Sequence, residues 1–584
     1  MLLSSSSSPG QSLILIEAGL TGMASLLVLA WPRIGSSWFS RIERPLRGFS
    51  RRRGLTVATI GFSTLLLRLA VLPIFPVPLP FIANDFSFLL AADTFAHGRL
   101  SNPSPAMWTH FESIHIAMQP TYMSMYFPGP GLIMAAGKVV FGDPWVGILI
   151  SSALMCAGIC WMLQAWLTPT WALLGGMLAI LRIGLFSYWI NTYTGGGALS
   201  ALGGALVLGA LPRLIKTARF RYGMILAVGI VILGLTRPYE GLLLCVPVAV
   251  ALGHWIFFGK NRPPVAVLAR RATAPLALIV AAGAWLGYYD YRAFGSPFTL
   301  PYTIARTTYA VVPYYVWQAP RPMPDYRHNN MRRFYSEIET YRFADLHSLS
   351  GFVPATLTKF GWSAIAFFAG FALAPPLIMF RRVLLDRRLR FLVLCLPLWV
   401  AGMAISVFLF PHYLAPFTAA LYALGLQAMR HLRVWKPEGK PVGVTLARLV
   451  VTVCIAMAVV RVFAEPLNLI PPKWPVGDWA CWWIGPGHFG TERAQTEARL
   501  EQLPGSQLVL VRYSPEHYPQ DEWVYNAADI DGSKVIWARE MDATNNEELI
   551  RYYKNREVWL VQPDLPSKMI AEYPRLEPTV SPTH

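Results

Sequence analysis

The sequence predicts an all-α polytopic membrane protein with about twelve transmembrane helices and a small carboxy-terminal α/β domain. Apolar residues make up 54% of the 584 residues and charged residues 14%, and the mean hydropathy is +0.41. Apolar runs of roughly 17 to 25 residues recur, and each can cross ~30 Å of hydrocarbon. Because the bilayer core holds no water, backbone polar groups must pair within each run, which favours helices.

The net charge of +18 is spread along the chain and does not form a single basic face. Lysines and arginines fall in short clusters between the apolar runs, an arrangement that orients helices in a membrane. We therefore expect membrane lipids as partners and no nucleic acid.

Residues 1 to 54 are predicted to hold one extra transmembrane helix and a basic cytoplasmic loop. The apolar run at 11 to 31 is followed by seven arginines between positions 33 and 53. By the positive-inside rule these arginines are cytoplasmic. The next helix, at 55 to 75, then runs outward and delivers Asp85 to the external face.

Ten further helices complete the predicted membrane domain, residues 55 to 464. The dense basic clusters that border them all fall on the cytoplasmic side when the helices alternate. Two large external loops result, at 82 to 142 and at 290 to 360. The predicted helices are 145 to 167, 170 to 190, 197 to 215, 221 to 237, 240 to 258, 273 to 290, 361 to 380, 391 to 410, 412 to 430 and 443 to 463.

The carboxy-terminal part, residues 465 to 584, is predicted to form an external domain. From about position 490 it becomes less apolar, with strand patterns at 507 to 513 and 558 to 561 and a helix pattern at 547 to 555. Strands that alternate with a helix are typical of an α/β domain.

The first external loop carries a resemblance to a known family. It begins with Asn84-Asp85-Phe86 beyond an apolar helix and ends in Tyr126-Phe127-Pro128-Gly129 before apolar sequence. This order resembles polytopic glycosyltransferases of the GT-C superfamily, in particular the bacterial relatives of the protein mannosyltransferase and aminoarabinose transferase group. The likeness covers mainly the first half of the chain.

The resemblance implies a GT-C-like fold and a glycosyltransferase of a bacterial inner (plasma) membrane that works at the periplasmic face. Its donor would be a polyprenyl-phosphate sugar, and its acceptor a glycan, a lipid or a protein. Asp85 would be the catalytic residue that takes the proton of the attacking hydroxyl. From the residues alone, a solvated helix end is the favoured interpretation of Asp85, and Asp93, a candidate substrate-binding residue, is equally an ordinary polar position.

Tyr126 and its Pro-Gly turn resemble a family element that often carries a lysine on the carrier phosphate. Met125 and Phe127 stand here instead, so the phosphate contact is expected elsewhere. Arg182 and Arg237 are candidates because guanidinium offers a planar fork for phosphate. The alternatives for Arg237 are snorkelling or pairing with Glu240.

The last three candidate residues are His412 and the pair Glu112 and His115, which carry a weak pattern for metal binding. His412 in Pro411-His412-Tyr413 resembles an Arg/His-Tyr-x-x-Pro element of the family, and a capping role explains it equally. Glu112 and His115 have side chains that bind divalent metal ions. A metal is thus the one cofactor considered, and polar residues that line an aqueous loop explain the pair without it.

Two other classes of function stay open. A transporter or flippase of lipid-linked sugars also has about twelve spans, and is expected to show inverted repeats. A non-catalytic envelope assembly protein would use its external domain for partners. The large unequal external loops favour the enzyme.

Overall fold

The structure, a computed structural model, describes residues 9–194, 196–259, 262–361, 363, 367–368, 370–470, 483, 485, 487, 489–565 and 569–574. Helices dominate this part of the chain. The longer ones are Pro9–Ala30, Ser36–Ser50, Arg53–Ala70, Ala83–Ala96, Pro128–Phe141, Pro144–Trp166, Pro169–Ala179, Gly197–Thr217, Phe220–Thr236, Pro238–Phe258, Val265–Phe294, Pro301–Tyr309, Leu349–Phe360, Arg390–Ala404, Thr418–Arg433, Val442–Val462, Thr491–Gln502 and Ala543–Tyr552.

Apolar helices of membrane-spanning length confirm the predicted fold class. Within the described ranges, six helices are long and apolar enough to cross a bilayer, and three shorter helices are apolar. Two other predicted spans are helical at Arg53–Ala70 and Thr418–Arg433. The six long helices are Ser12–Ala30, Pro144–Trp166, Gly197–Thr217, Pro238–Phe258, Val265–Phe294 and Val442–Val462.

Two predicted spans are wrong in detail. Residues 361 to 380 were expected to form one helix, but Gly370 has a φ of +67° and short turns follow at Phe371–Leu373 and Ala374–Leu377. Pro375 and Pro376 lack the amide hydrogens that a continuous helix needs.

The span predicted at 170 to 190 ends early. Its α-helix stops at Ala179 and widens into one π-turn, Ile180–Gly184, which carries Arg182. Such turns often occur at functional sites or where a helix inserts a side chain into its surroundings.

The basic segment after the first helix is itself a helix, Ser36–Ser50. Glu43 on this helix accepts hydrogen bonds from Arg433 and Arg448, at 2.8 to 3.2 Å. Burial by itself raises the pKa of Glu43, but the two guanidinium groups lower it to about 2. The segment is thereby tied to the last helices of the membrane domain.

The loop predicted to be external, residues 82 to 142, is an ordered layer. Helices Ala83–Ala96 and Pro128–Phe141 flank a small antiparallel sheet of β1 (Asn102–Pro103), β2 (Ile116–Ala117) and β3 (Thr121–Ser124), in the order β1-β3-β2. Pro128 at the helix start supplies the fixed φ that suits a first helical turn.

The carboxy-terminal domain confirms the predicted α/β alternation. Its sheet has the order β5-β4-β6-β7, with β4 parallel to β5 and β6, and β7 antiparallel to β6. The sequence missed β5, a short buried parallel strand that shows no alternation, and β7, an antiparallel edge strand of three residues. The strands are β4 (Ser506–Val511), β5 (Val535–Arg539), β6 (Arg556–Val561) and β7 (Ile570–Glu572).

The domain and the external loop share one hydrophobic core. Leu90 and Phe111 of the loop lie in the same buried cluster as Leu508, Ile536 and Leu549 of the domain. The loop therefore covers one face of the sheet, and the two segments are expected to fold together.

Candidate active site

Asp85 lies in the first turn of helix Ala83–Ala96 and is fully buried. Thr194 Oγ1 donates a hydrogen bond to Oδ1 at 2.9 Å, and the Phe81 amide donates to Oδ2 at 3.4 Å. A carboxylate near a helix N-terminus also interacts favourably with the helix dipole. The side chain is thus held by two donors from different segments.

Burial raises the pKa of Asp85 to about 7, although the hydrogen bonds from Thr194 and the backbone oppose this rise. A carboxyl group with a pKa near neutrality exchanges protons readily at physiological pH. Such a group is suited to general-base catalysis.

Tyr126 links Asn84, the residue before Asp85, to a cluster of aromatic rings. The neighbour of Asp85, Asn84, donates from Nδ2 to the Tyr126 hydroxyl at 2.5 Å. The Tyr126 ring stacks on Phe88 at 4.1 Å and meets the edge of Tyr302 at 5.6 Å. Burial raises the pKa of Tyr126 well above its ordinary value, so its hydroxyl stays protonated.

A close helix contact brings Arg237 to the same cluster. A Cβ atom at Gly129 would lie 2.7 Å from the Leu235 carbonyl oxygen, so glycine is required where helix Pro128–Phe141 starts. Because Leu235 is next to the end of helix Phe220–Thr236, this contact sets the start of the Tyr126 turn beside Arg237. The Arg237 charge in turn opposes the rise in the pKa of Tyr126.

Arg237 is the junction between helices Phe220–Thr236 and Pro238–Phe258. Its guanidinium lies over the Tyr413 ring at 4.4 Å, and the nearest Glu240 oxygen is 3.8 Å away, which is beyond hydrogen-bond range. The other buried arginines of the described chain each reach an oxygen at 3.0 Å or less: Arg68, Arg306, Arg461, Arg493 and Arg539.

His412 lies in the turn Pro411–Tyr413, and its ring is 4.7 Å from the Tyr413 ring on which Arg237 stacks. Its Nδ1 is hydrogen-bonded to the Tyr188 hydroxyl, which also accepts from the His412 amide at 3.1 Å. Burial, together with the charge of Arg237, lowers the pKa of His412 well below its ordinary value. The imidazole is therefore neutral.

Arg182 has different partners from Arg237. It forms an ion pair with Glu17 of the first helix at 3.3 Å and donates from Nε to the Phe367 carbonyl at 2.9 Å. Glu17 also accepts from Arg461 at 2.8 Å. This triad ties the extra amino-terminal helix to the membrane domain.

Asp93 links three parts of the external layer. It pairs with Lys138, lies 3.5 Å from His97, and accepts a hydrogen bond from the Ala528 amide at 2.7 Å. Eight residues separate it from Asp85, which is ~12 Å along a helix. The structure therefore places Asp93 at the junction with the carboxy-terminal domain.

Glu112 and His115 have separate partners. Glu112 accepts from the Tyr309 hydroxyl at 2.8 Å and lies 3.4 Å from Arg327 and from His328. Burial by itself raises the pKa of Glu112, but these hydrogen bonds and charges lower it below its ordinary value. In the described part of the chain, no group of three or more His, Cys, Asp and Glu residues is arranged to hold a metal ion.

Burial and the charge of Arg306 lower the pKa of His115 to about 3. Its Nδ1 lies 3.2 Å from the Tyr126 hydroxyl, so His115 supports Tyr126.

Sequence reasoning missed Thr194, Tyr302 and Tyr413. Thr194 follows a turn in a segment with no pattern of its own, and Tyr302 is one tyrosine among many in the loop 290 to 360. Only Tyr413 had a signal, because it directly follows His412 in the Arg/His-Tyr-x-x-Pro resemblance.

Comparisons with known proteins were made for the whole chain. No family model and no curated protein matches it. Among solved structures, the chain is similar to the oligosaccharyltransferase of Archaeoglobus fulgidus, solved with a tethered acceptor peptide, with 11% identity and a TM-score of 0.46 over 86% of this chain and 69% of that chain. It is also similar to ArnT of Cupriavidus metallidurans, solved with undecaprenyl phosphate, with 13% identity and a TM-score of 0.44 over 87% of this chain and 93% of that chain.

Proposed function

We propose that this protein is a membrane glycosyltransferase that transfers a sugar from a polyprenyl-phosphate donor to an acceptor hydroxyl at the periplasmic face of a bacterial inner membrane. One observation carries the proposal. A buried carboxyl group with a pKa near 7, Asp85, is joined through Asn84 and Tyr126 to a cluster that holds the buried cation Arg237.

Arg237 is the residue that would hold the donor phosphate. Its guanidinium is buried, stacked on Tyr413, and 3.8 Å from Glu240, so its donors are not saturated by a close carboxylate. A phosphate oxygen pair would accept two parallel N–H bonds from such a planar fork. When no sugar donor is bound, the Glu240 carboxylate balances part of the positive charge of Arg237.

Asp85 would act as the base. As the acceptor oxygen attacks the anomeric carbon, its proton passes to Asp85, and the bond from the anomeric carbon to the phosphate oxygen breaks. The bonding electrons leave with the phosphate, whose added charge Arg237 stabilises. Attack opposite to the leaving group inverts the anomeric configuration, and no covalent enzyme intermediate is needed.

Neutral His412 and Tyr126 would position the two charged groups. His412 holds Tyr188 and stands beside the Tyr413 ring on which Arg237 stacks. Tyr126 receives the Asn84 amide at the turn that carries Asp85. The hydrophobic carrier would stay in lipid between helices, while the sugar and the acceptor meet in the external layer.

The test is a transfer assay on the full chain in proteoliposomes, with a radiolabelled polyprenyl-phosphate sugar and an envelope lipid and glycan fraction as acceptors. We expect label in the acceptor fraction. Asp85→Asn should abolish transfer while membrane insertion stays normal, and Asp345→Asn, at an exposed carboxylate of the second external loop, should transfer normally.

Three results would contradict the proposal. Label that only crosses the bilayer would indicate a flippase, and label that neither moves nor transfers would indicate an assembly protein. Undiminished transfer by Asp85→Asn would remove the base from the mechanism.

A further inference from the structure

A cavity lies between the loop 290 to 360 and the carboxy-terminal domain. It has a volume of about 250 Å³ and is lined on one side by residues 327 to 330 and Arg333. The other side consists of the ends of two strands and the residues that follow them, 511 to 515 and 539 to 540. The cavity contains none of the residues of the proposed active site.

The position in the sheet is one that favours ligand binding. Val511 and Arg539 are the last residues of the neighbouring parallel strands β4 and β5, and they are paired in register. In open α/β sheets, ligands bind outside the carboxyl ends of the strands where the strand order reverses, and here the order reverses at β4, whose last residue lines the cavity. The loop 290 to 360 closes this crevice from the other side.

Four arginines line the walls of the cavity. Arg512 pairs with Glu540, the carboxylate of the lining, and the other three each lie near a carboxylate outside it: Arg327 is 3.4 Å from Glu112, Arg333 is 3.7 Å from Glu337 and Arg539 is 2.6 Å from Glu522. Arg327 is partly exposed and lies over Trp108 at 4.8 Å. Arg333 donates two hydrogen bonds, to the Pro515 and His517 carbonyls at 2.6 Å, and so fixes one wall to the other.

Two buried polar atoms of the lining lack a partner among the described residues. Arg539 is 2% exposed; its Nε donates to the Glu112 carbonyl and its Nη2 to Glu522, but its Nη1 has no acceptor. The Oδ1 atom of Asn330 also has no donor. A buried donor without an acceptor lowers stability, and an incoming ligand that accepts from it would remove that cost.

We infer that this cavity binds the oxyanion of a small ligand, a phosphate or carboxylate group that Arg539 Nη1 and the neighbouring arginines would recognise. A charged sugar unit and a free anion both present such a group. The inference does not rest on the glycosyltransferase proposal, because the cavity would bind its ligand whether or not Asp85 and Arg237 catalyse transfer.

The test is calorimetric titration of the full chain in nanodiscs of zwitterionic lipid, with inorganic phosphate, glucose 6-phosphate and glucose as three separate probes. We expect binding of at least one of the two anions, weakened by salt, and no binding of glucose. Arg327→Gln and Arg512→Gln should each weaken binding roughly tenfold, the effect of one lost charge-assisted hydrogen bond. Arg551→Gln, at an exposed arginine of the same domain away from the cavity, is the matched control and should bind normally.

The three probes also distinguish the two possible sources of the anion. Tighter binding of glucose 6-phosphate than of phosphate supports a charged sugar as the ligand, and equal binding supports a free anion. The inference is overturned when neither anion binds, or when the two cavity variants bind as well as Arg551→Gln. Loss of sugar transfer in Asp85→Asn, with anion binding retained, would separate the two sites.

Discussion

Replacing Asp85 by asparagine should stabilise the fold while it removes the activity. Asp85 is fully buried and lies outside the candidate membrane spans. Burial raises its pKa from 3.8 to about 7, so the folded protein holds this proton more tightly than the unfolded chain does. Ionisation of Asp85 therefore opposes folding, and an asparagine of the same shape has no charge to desolvate.

The size of the effect follows from the shift in pKa. A difference of about 3 pKa units corresponds to about 4 kcal/mol at a pH above both values. Asparagine has one acceptor oxygen where aspartate has two, so it keeps only one of the two hydrogen bonds. The bond from the Phe81 amide, at 3.4 Å, is the weaker one and is expected to be lost. Deducting about 1 kcal/mol for that bond leaves a gain of about 3 kcal/mol.

The difference in stability between the wild type and Asp85→Asn depends on pH in a defined way. Below about pH 4, Asp85 is protonated in both states, and the wild type and Asp85→Asn differ only by the lost hydrogen bond. Between about pH 4 and pH 7 the unfolded wild-type chain releases the proton that the folded chain keeps, so wild-type stability falls as pH rises. Above about pH 7 the difference stays constant.

Thermal unfolding in detergent micelles, from about pH 4.5 to about pH 8.5, measures this difference. We expect the melting temperature of Asp85→Asn to exceed that of the wild type by an amount that grows with pH and levels off near neutrality. Asp345→Asn should follow the wild type at every pH. A variant that melts at or below the wild-type temperature at alkaline pH would refute the account of a buried, costly carboxylate.

Four further outcomes are expected. Transfer by the wild type should rise with pH and level off near about pH 7, since Asp85 must be ionised to act as a base, and a rate that is flat from about pH 5 to pH 8 would contradict this. Arg237→Gln should raise the donor KM roughly tenfold or more, because a charge-assisted hydrogen bond to the phosphate is lost. Arg270→Gln is the exposed control, and an unchanged KM in Arg237→Gln would indicate that the phosphate binds elsewhere. Arg182→Gln should lower the melting temperature and leave the donor KM unchanged, because Arg182 pairs with Glu17; a raised KM at normal stability would instead return Arg182 to the active site. Asp93→Asn should speed limited trypsin cleavage of the carboxy-terminal domain, since Asp93 bonds the Ala528 amide, and an unaltered cleavage rate would show that this bond is dispensable.

The membrane helices were predictable because their signal is local. A run of apolar residues long enough to cross lipid must satisfy its own backbone, so length and composition alone indicate Pro144–Trp166 or Val442–Val462. Hydropathy alone does not predict the break at 370 to 377, since it takes no account of the amide hydrogens that the paired prolines lack. Strand β5 was missed because its pattern gains meaning only beside β4.

The candidate site residues also fall into those that the sequence indicates and those that only the structure distinguishes. Asp85, Tyr126 and His412 were named from short sequence elements, and they remain predictions as functional residues. Sequence could not choose between Arg182 and Arg237, since both are arginines near the ends of apolar helices. The structure distinguishes them by their partners, Glu17 for the first and the Tyr413 ring for the second.

The sequence by itself determined that this chain is a helical, multi-pass membrane protein with a mixed carboxy-terminal region, because hydropathy, span length and strand patterns act over neighbouring residues. Tertiary structure alone decided which charged groups have a close partner of opposite charge. The burial of Asp85 under Thr194, the stacking of Arg237 on Tyr413 and the contact of Arg539 with Glu112 each join residues far apart in the chain, and no local pattern encodes the desolvation that gives those groups their chemistry.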